Sequence, residues 1–405
     1  MLGNHFDQNR EIVIVAGART PFGKFCGSFS SLTATDLGVC AAKATIERAG
    51  ISPQDIDHVI VGNVIQSSAD AAYISRHVGL RCEIPIEVPA YTVNRLCGSG
   101  FQSIINAAFE ILLGRAKMVL AGGAENMTQA PHVIRGYRLG FKMGHANLQD
   151  SLQEGLTDSY NRLPMAITAE NLAKKYDLSR QECDAFALKS SQHASRAKQE
   201  GFFDREIVPV EVKGPKGQTT LVSTDEHVRE DATLEALGKL PPVFLKDGVV
   251  TAGNASGMCD GAAMVLVTSR YEAKKRNLPI LGVVKSYGVA GCDPDIMGIG
   301  PVPAARMALN EFGKTIKDMD LIEVNEAFAA QTLAVVRELG IDQNKLNVNG
   351  GAIALGHPLG CSGTRITLTT LHELARANKR WALVSACIGG GQGIALVLEN
   401  PSWNS

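Results

Sequence analysis

A constant offset of 263 residues lays two long stretches of this chain over each other without a gap, and this duplication constrains the fold more than any other feature. Val39, Ala41, Ala42, Gly50, Asp55, Asp57, Val61, Leu96, Ser99 and Gly100 recur as Val302, Ala304, Ala305, Gly313, Asp318, Asp320, Val324, Leu359, Ser362 and Gly363. The punctuation recurs with them. Gly50 and Gly313 each stop a helix-like run, the turn at Gly100 matches the one at Gly363, and strand-like runs begin at Met118 and at Trp381. The chain therefore reads as two copies of one unit.

The unit is α/β. Ile12 to Ala16 is too continuously apolar for a half-exposed strand and predicts a sheet covered on both faces. Asp36 to Ala49 reads as helix and Asp57 to Val61 as strand, and the alternation predicts an α/β architecture. In the second copy, Cys387 is followed within six residues by Gly393 and a closing strand, Ile394 to Leu398. In the first, the matching Ala124 is separated from Gly261 and the strand Ala263 to Val267 by about 131 further residues. An insertion over 125–249 follows, with 1–124 plus 250–273 as the first half and 274–405 as the second. It holds a Gly- and Met-containing stretch, a helical run from Thr168 to Glu200 and a charged segment, Thr224 to Asp231. Insertions of this kind commonly carry ligand-binding surface. Packed together, the two halves bury their apolar helices and turn Cys97 and Gly360 toward a common cleft.

Composition removes several function classes. A net charge of −1 over 405 residues excludes a polyelectrolyte partner such as nucleic acid. The nine cysteines are odd in number and scattered, which argues against a disulfide framework and a structural zinc site and favours a reducing compartment. Met1 to Arg10 lacks a secretory or transit-peptide pattern, no apolar run reaches a membrane span, and the final Ser402 to Ser405 is not a peroxisomal address. These features predict a cytoplasmic protein without membrane partners.

Cys97 stands at the joint between a strand-like run, Val88 to Val93, and a helix-like run, Phe101 to Leu113. A thiol there meets the positive end of a helix dipole and free N–H groups, which favour thiolate; the same position also suits a small packing residue. The offset carries Asn94 onto His357, an imidazole able to take the Cys97 proton. Cys387 precedes Gly389, Gly390 and Gly391: a buried thiol beside turn glycines, or a proton shuttle beside N–H groups that hold an oxyanion. Asn325 ends a strand just before Glu326, as a cap or as an amide that positions water.

Taken in order, Asn94 to Gly100, Asn325 to Phe328, Gly356 to Pro358 and Cys387 to Gly391 resemble the four signature blocks of the thiolases, with similarity from Ile12 to about Glu399. The resemblance implies two α/β halves in a layered α-β-α-β-α core with an inserted loop domain. It also implies an acetyl-CoA C-acetyltransferase that condenses two acetyl-CoA molecules reversibly through acetyl-Cys97. His357 would be the base, Cys387 the α-proton carrier, Asn325 with a water and His357 one oxyanion hole, and the N–H groups of Cys97 and Gly389 the other. Coenzyme A and acyl contacts would come from Arg229, Phe244, Ser256, Met165, Met297 and Phe328. Acyl-CoA thioesters would be the substrates, with no metal or other cofactor, and the assembly would be a homo-oligomer, dimer or tetramer.

Within the family, Pro164-Met165 departs from the His-Met of short-chain thiolases, and Cys361-Ser362-Gly363 and Gly391-Gln392-Gly393 are similar to 3-ketoacyl-CoA thiolases of fatty-acid β-oxidation. The stretch from Gly136 to Asp158 is more like the acetoacetyl-CoA enzymes. A decarboxylative condensing enzyme and a non-catalytic lipid carrier share the fold; Cys387 argues against the first and the four intact blocks against the second.

Overall fold

A computed structural model describes residues 10–214 and 217–403. The reading of the amino terminus rests almost wholly on residues outside that range, as does the final Asn404-Ser405.

The first copy runs β1 (Ile12–Arg19), β2 (Gly23–Lys24), α1 (Ala34–Ala49), β3 (His58–Gly62), α2 (Ile74–Arg81), β4 (Ala90–Val93), α3 (Ser99–Leu112) and β5 (Met118–Asn126). The intervening segment holds β6 (His132–Val133), β7 (Gln149–Asp150), α4 (Ser151–Gly155), α5 (Met165–Lys175), α6 (Arg180–Gln199), β8 (Val210–Lys213), β9 (Thr219–Val222) and α7 (Leu234–Gly238). β10 (Cys259–Ser269) closes the first copy, and α8 (Arg270–Lys275) leads out of it. The second copy runs β11 (Gly282–Gly291), α9 (Pro301–Phe312), β12 (Leu321–Val324), α10 (Ala329–Leu339), α11 (Ala352–Leu355), α12 (Ser362–Arg376), β13 (Trp381–Ile388) and β14 (Gln392–Glu399).

The 263-residue offset holds to the residue at the starts of β3 and β12, α3 and α12, and β5 and β13. Local chemistry explains several boundaries. Thr33 and Asp36 form a reciprocal capping box at the start of α1, and Gly50 ends it in the left-handed region at φ 64°. The single helical run expected over Thr168 to Glu200 is two helices. Asp177 turns left-handed at φ 48°, and Ser179 and Glu182 form a capping box that starts α6 afresh. The counterpart of β4 beside β12 is reduced to a single parallel bridge, Leu346 to Ile322. The offset itself carries β4 onto the short helix α11, whose Ala354 and Leu355 pack on Ala194 and Ala197 of α6.

Ten strands form one sheet in the order β12-β13-β14-β11-β1-β10-β5-β3-β4, with β2 pairing β10, while β6 with β7 and β8 with β9 make separate two-stranded sheets. The two half-sheets are hydrogen-bonded edge to edge, β1 antiparallel to β11, through Ile12, Val13 and Ile14 opposite Val284, Val283 and Gly282. Register also refines the repeat: Ala262 lies opposite Ala124 as Gly393 lies opposite Cys387, so Ala262 rather than Gly261 is the counterpart of Gly393. Glu125, which the sequence reading assigns to the insertion, is the penultimate residue of β5 and pairs with Gly261.

Helices α3 and α12 lie between the half-sheets. Phe101, Ile104 and Ile105 from one and Ile366, Leu368 and Leu371 from the other share a buried cluster with Ile60, Val119, Val384 and Leu396. On the outer face of the first half, Leu37, Ile46 and Val78 pack on Val13, Val59 and Leu120. On the outer face of the second, Ala305, Leu309 and Leu333 pack on Ile322, Leu383 and Val397. The result is five layers, α-β-α-β-α. Each such Leu, Ile or Phe contributes about 1.5–3 kcal/mol when fully buried, so the shared middle layer binds the copies into one unit.

Candidate active site

Two turns related by the duplication meet at the amino ends of α3 and α12. In the first, Asn94 Oδ1 accepts the Leu96 N–H at 3.0 Å and its Nδ2 donates to the Val64 carbonyl at 3.1 Å. Ser99 Oγ accepts the Arg95 N–H at 2.8 Å and donates to the Leu96 carbonyl at 2.7 Å. These bonds hold Leu96 at φ 46°, a strained value for a side-chain-bearing residue, immediately before Cys97.

The second turn repeats the device with different chemistry. Ser362 Oγ donates to the Pro358 carbonyl at 3.0 Å and lies 2.6 Å from His357 Nδ1. The hydroxyl proton is committed to the carbonyl, so Nδ1 carries the proton it shares with Ser362 and Nε2 keeps its lone pair. Asn325 Nδ2 lies 3.3 Å from that Nε2, whereas Asn325 Oδ1 is buried without a hydrogen-bond partner among the described residues. Asn325 is fixed by its own N–H to the Ser385 carbonyl at 2.9 Å, so the ends of β12 and β13 are aligned. Behind it, buried Glu326 accepts from Ser190 Oγ at 2.6 Å, Asn347 Nδ2 at 2.7 Å and Ile353 N–H at 3.1 Å, tying the site to α6 and α11.

Cys387, the penultimate residue of β13, is 1% exposed and packed with Met297, Ala327, Met165 and Phe328. It lies close enough to Cys97 and Cys292 for their charges to oppose its ionisation. The N–H of Gly389 and the N–H of Cys97 itself act on the Cys97 thiol. A side chain at Gly389 would come within 3.2 Å of Leu96 Cδ1 and 3.4 Å of Met165 Sδ, so the two loops touch.

The helix-start signals that favour thiolate do not decide the state of Cys97. Burial pushes the half-buried Cys97 thiol up to about 11, and the two N–H groups only partly oppose it. Burial raises Cys387 as well, and burial followed by the charge of Arg365 holds His357 down to about 3. At neutral pH the site is two thiols and a neutral imidazole, not an ion pair.

Residues 12–271 match the family described as thiolase, N-terminal domain, and residues 278–400 match thiolase, C-terminal domain. The chain belongs to the thiolase family. Among its relatives, human mitochondrial 3-ketoacyl-CoA thiolase is 56% identical over 392 residues, which is 96% of this chain and 98% of that one. The acetyl-CoA acetyltransferase of Chromobacterium violaceum is 48% identical, covering 96% of this chain and all of its own. The crystal structure of the human mitochondrial enzyme in complex with CoA superposes at a TM-score of 0.94, with 55% identity over 98% of this chain and 100% of that one. The family's enzymes are acyltransferases. The cytoplasmic expectation does not survive: relatives from human, orang-utan and cattle at 54–56% identity are named as mitochondrial. Composition carries no compartment information that separates these proteins from bacterial relatives almost as similar.

In this thiolase two cavities adjoin, and one of them is lined by His357. One, of about 480 Å³, is walled mainly by apolar side chains, with Met127, Leu152, Leu156, Met165, Phe244, Phe328 and Leu359 around Ser256 and His357. The other, of about 290 Å³, is more polar and is lined by Arg229, His227, Asp231 and Thr233. Ala255 and Gly257 border both. Of the six residues expected to contact coenzyme A or the acyl group, Arg229 lies in the polar cavity and Met165, Phe244, Ser256 and Phe328 in the apolar one. Met297 lies outside both, 2% exposed behind Cys387. Among the described residues no group of three or more His, Cys, Asp or Glu side chains could hold a metal, and no helix is long and apolar enough to cross a membrane.

Sequence reasoning missed the roles of Ser362 and Glu125. The first carried a signal, since Ser99 and Ser362 are one of the repeated identities. The second carried none.

Proposed function

We propose that this thiolase is a 3-ketoacyl-CoA thiolase, cleaving a 3-ketoacyl-CoA with coenzyme A to acetyl-CoA and a shortened acyl-CoA. The observation that carries the reading is the apolar cavity beside His357, which suits an acyl chain longer than acetyl. The higher identity to mitochondrial 3-ketoacyl-CoA thiolases than to the acetyl-CoA acetyltransferase supports it. The acetyl-CoA C-acetyltransferase reaction is the short-chain case of the same chemistry in reverse, and the Gly136 to Asp158 stretch favours it as the second reading.

The reading places one proton on each thiol and none on His357 Nε2 at the start of cleavage. His357 Nε2 takes the Cys97 proton as Sγ attacks the 3-keto carbon, and the oxyanion forms against the N–H groups of Cys97 and Gly389. Scission of the C2–C3 bond leaves acyl-Cys97 and the enolate of acetyl-CoA. Asn325, through a water accepted by its free Oδ1, and protonated His357 stabilise the enolate oxygen. Cys387, a thiol at rest, donates the proton that converts the enolate to acetyl-CoA. Coenzyme A then attacks the acyl-Cys97 carbonyl, its thiol proton passes to the Cys387 thiolate, and the departing Cys97 sulfur takes back the proton held by His357, which restores the resting site. Condensation runs these steps backwards. No metal or further cofactor is needed.

The halves 1–124 plus 250–273 and 274–405 supply the reacting groups, and the segment between them supplies most of the cavity walls. Arg229 and its polar cavity suit the nucleotide end of coenzyme A; Phe244 and Ser256 suit the pantetheine, which would share the apolar cavity with the acyl chain. A homo-oligomer is supported by β4, the end strand of the sheet, with Ile86, Leu80 and Leu113 exposed around it, and by exposed Tyr137, Leu139 and Met143 in the inserted segment.

Thiolysis of acetoacetyl-CoA and of a C8 3-ketoacyl-CoA tests the reading. A higher kcat/KM on the C8 substrate is expected; turnover confined to acetoacetyl-CoA would give the second reading its place. Mass spectrometry after mixing with acyl-CoA should find the adduct on Cys97, and its absence would favour a carrier.

A further inference from the structure

The second copy keeps the nucleophile's position without a nucleophile. Cys97 corresponds to Gly360, and at Gly360 the backbone N–H donates to Glu125 Oε2 at 2.8 Å. The same oxygen accepts the Val64 N–H at 3.1 Å, while Oε1 accepts the Ile65 N–H at 3.0 Å and Asn63 Nδ2 at 3.1 Å. All four partners are donors. A protonated carboxyl would set a hydrogen against one of them, so the network is built for the anion. Glu125 is itself fully buried.

The backbones at this contact are too close for side chains at Gly360 or Gly123. A Cβ on Gly360 would fall 2.7 Å from the Gly62 carbonyl oxygen, and one on Gly123 would fall 1.8 Å from the Gly360 carbonyl oxygen. The first copy uses a turn of this shape to present Cys97 with N–H groups facing its sulfur. In the second, a carboxylate from β5 fills the corresponding place.

We infer that Glu125 is a positioning residue for the reaction, its carboxylate clamping the His357–Gly360 turn to the Val64–Ile65 loop and, through Asn94 on the Val64 carbonyl, to the nucleophile turn. One charge thereby fixes the relative placement of the two turns that carry Cys97 and His357. Burial pushes the carboxyl up to about 7, against the lowering effect of the Ile65, Gly360 and Val64 N–H groups, with Asp260 of β10 raising it further. The Glu125 charge in turn opposes ionisation of Cys97 and of Cys361 at the start of α12. It thus helps keep Cys97 a thiol until His357 takes the proton. The inference rests on Cys97 and His357 being the reacting pair.

Glu125→Gln keeps the volume and removes the charge. Two measurements are made on folded protein: steady-state thiolysis of a C8 3-ketoacyl-CoA, and the pH dependence of Cys97 alkylation by iodoacetamide, followed by mass spectrometry. The expected result is a fall in kcat of at least about tenfold with KM for coenzyme A within about twofold, together with a lower alkylation midpoint for Cys97. A purely structural strap would lower the melting temperature and leave both readouts unchanged, which overturns the inference. If Glu125→Gln does not fold, Asn63→Ala removes one of the four donors and decides. A fall in kcat of about threefold or more at constant KM supports the clamp, and an unchanged kcat sinks it. Wild-type protein without thiolysis activity would count against the proposed function, whereas the alkylation comparison would still read the effect of Glu125.

Discussion

Gly100 and Gly363 are one position twice, and they stand against each other: a Cβ on Gly100 would fall 2.7 Å from the Thr364 nitrogen, and a Cβ on Gly363 2.4 Å from the Phe101 nitrogen. Thr364 Oγ1 donates to the Gly100 carbonyl at 3.1 Å across the same contact. Both obstructions are helix backbone, which cannot swing aside as a side chain can. Gly100→Ala and Gly363→Ala should each destabilise the protein by about 1–3 kcal/mol or more, through strain in the central layer. Denaturant unfolding of each variant checks this, and a midpoint equal to wild type would show that the two helix starts can part freely.

Ser362 fixes the tautomer of His357. Ser362→Ala removes the acceptor for Nδ1–H and leaves a buried donor unmatched. The expected outcome is a fall in kcat of roughly tenfold or more with KM for coenzyme A nearly unchanged, because the imidazole loses orientation rather than the substrate losing contacts. Steady-state thiolysis measures it. A change confined to KM would mean that Ser362 acts elsewhere.

The two thiols should separate cleanly. Cys97→Ser should abolish the acyl adduct seen by mass spectrometry after mixing with acyl-CoA. Cys387→Ser should keep the adduct and lose carbon–carbon bond cleavage by at least about a hundredfold. An adduct surviving in Cys97→Ser at another residue would reassign the nucleophile.

For His357 the pH dependence has a definite sign. Its folded value, held down to about 3 by burial, lies below the unfolded value of about 6.5. The unfolded chain therefore binds the extra proton, and the contribution to stability present above about pH 6.5 is lost as pH falls toward 3. Relative to His357→Asn, wild type should lose melting temperature between pH 7 and pH 4. Parallel curves for the two proteins would show that burial does not suppress the charge. Free Cys97, at about 11, should alkylate faster with each step in pH through 9 and 10.

Leu152 and Leu156 form part of the wall of the apolar cavity, in one cluster with Leu359 and the half-buried Cys97. Leu156→Trp should fill space that an acyl chain would occupy. Its kcat/KM should fall at least about tenfold more for a C8 3-ketoacyl-CoA than for acetoacetyl-CoA, since each excluded methylene carries about 0.8 kcal/mol of burial. Equal losses on both substrates would place the acyl chain elsewhere.

That the turns carrying Cys97 and His357 meet was legible in the sequence because a gapless offset is a spatial statement: equivalent positions of two packed copies lie across a pseudo-twofold. The glycines after Cys387 marked it out in the sequence, and the structure sets it near Cys97. The protonation state was not, since local signals at a helix start favour thiolate while the deciding effect is desolvation by residues far away in the chain. Glu125 was hidden for the same reason. Its partners Asn63, Val64, Ile65 and Gly360 come from two other loops, and only the strand register shows that it belongs to β5. The break at Asp177 was readable in principle from Ser179 and Glu182, a capping pair inside an otherwise helical run. The β1–β11 joint left no mark in the periodicity, because a central strand and a covered edge strand are equally apolar.

That joint and the α3–α12 contact together have the form of an interface between two identical molecules. Two separate half-chains meeting this way would carry the same residue at both copies of every position: two cysteines with two asparagines beside them, or two glycines with two histidines. Neither pair can pass a proton from thiol to imidazole. Covalent linkage lifts that restriction, and Cys97 opposite Gly360 and Asn94 opposite His357 are what asymmetry within one polypeptide permits.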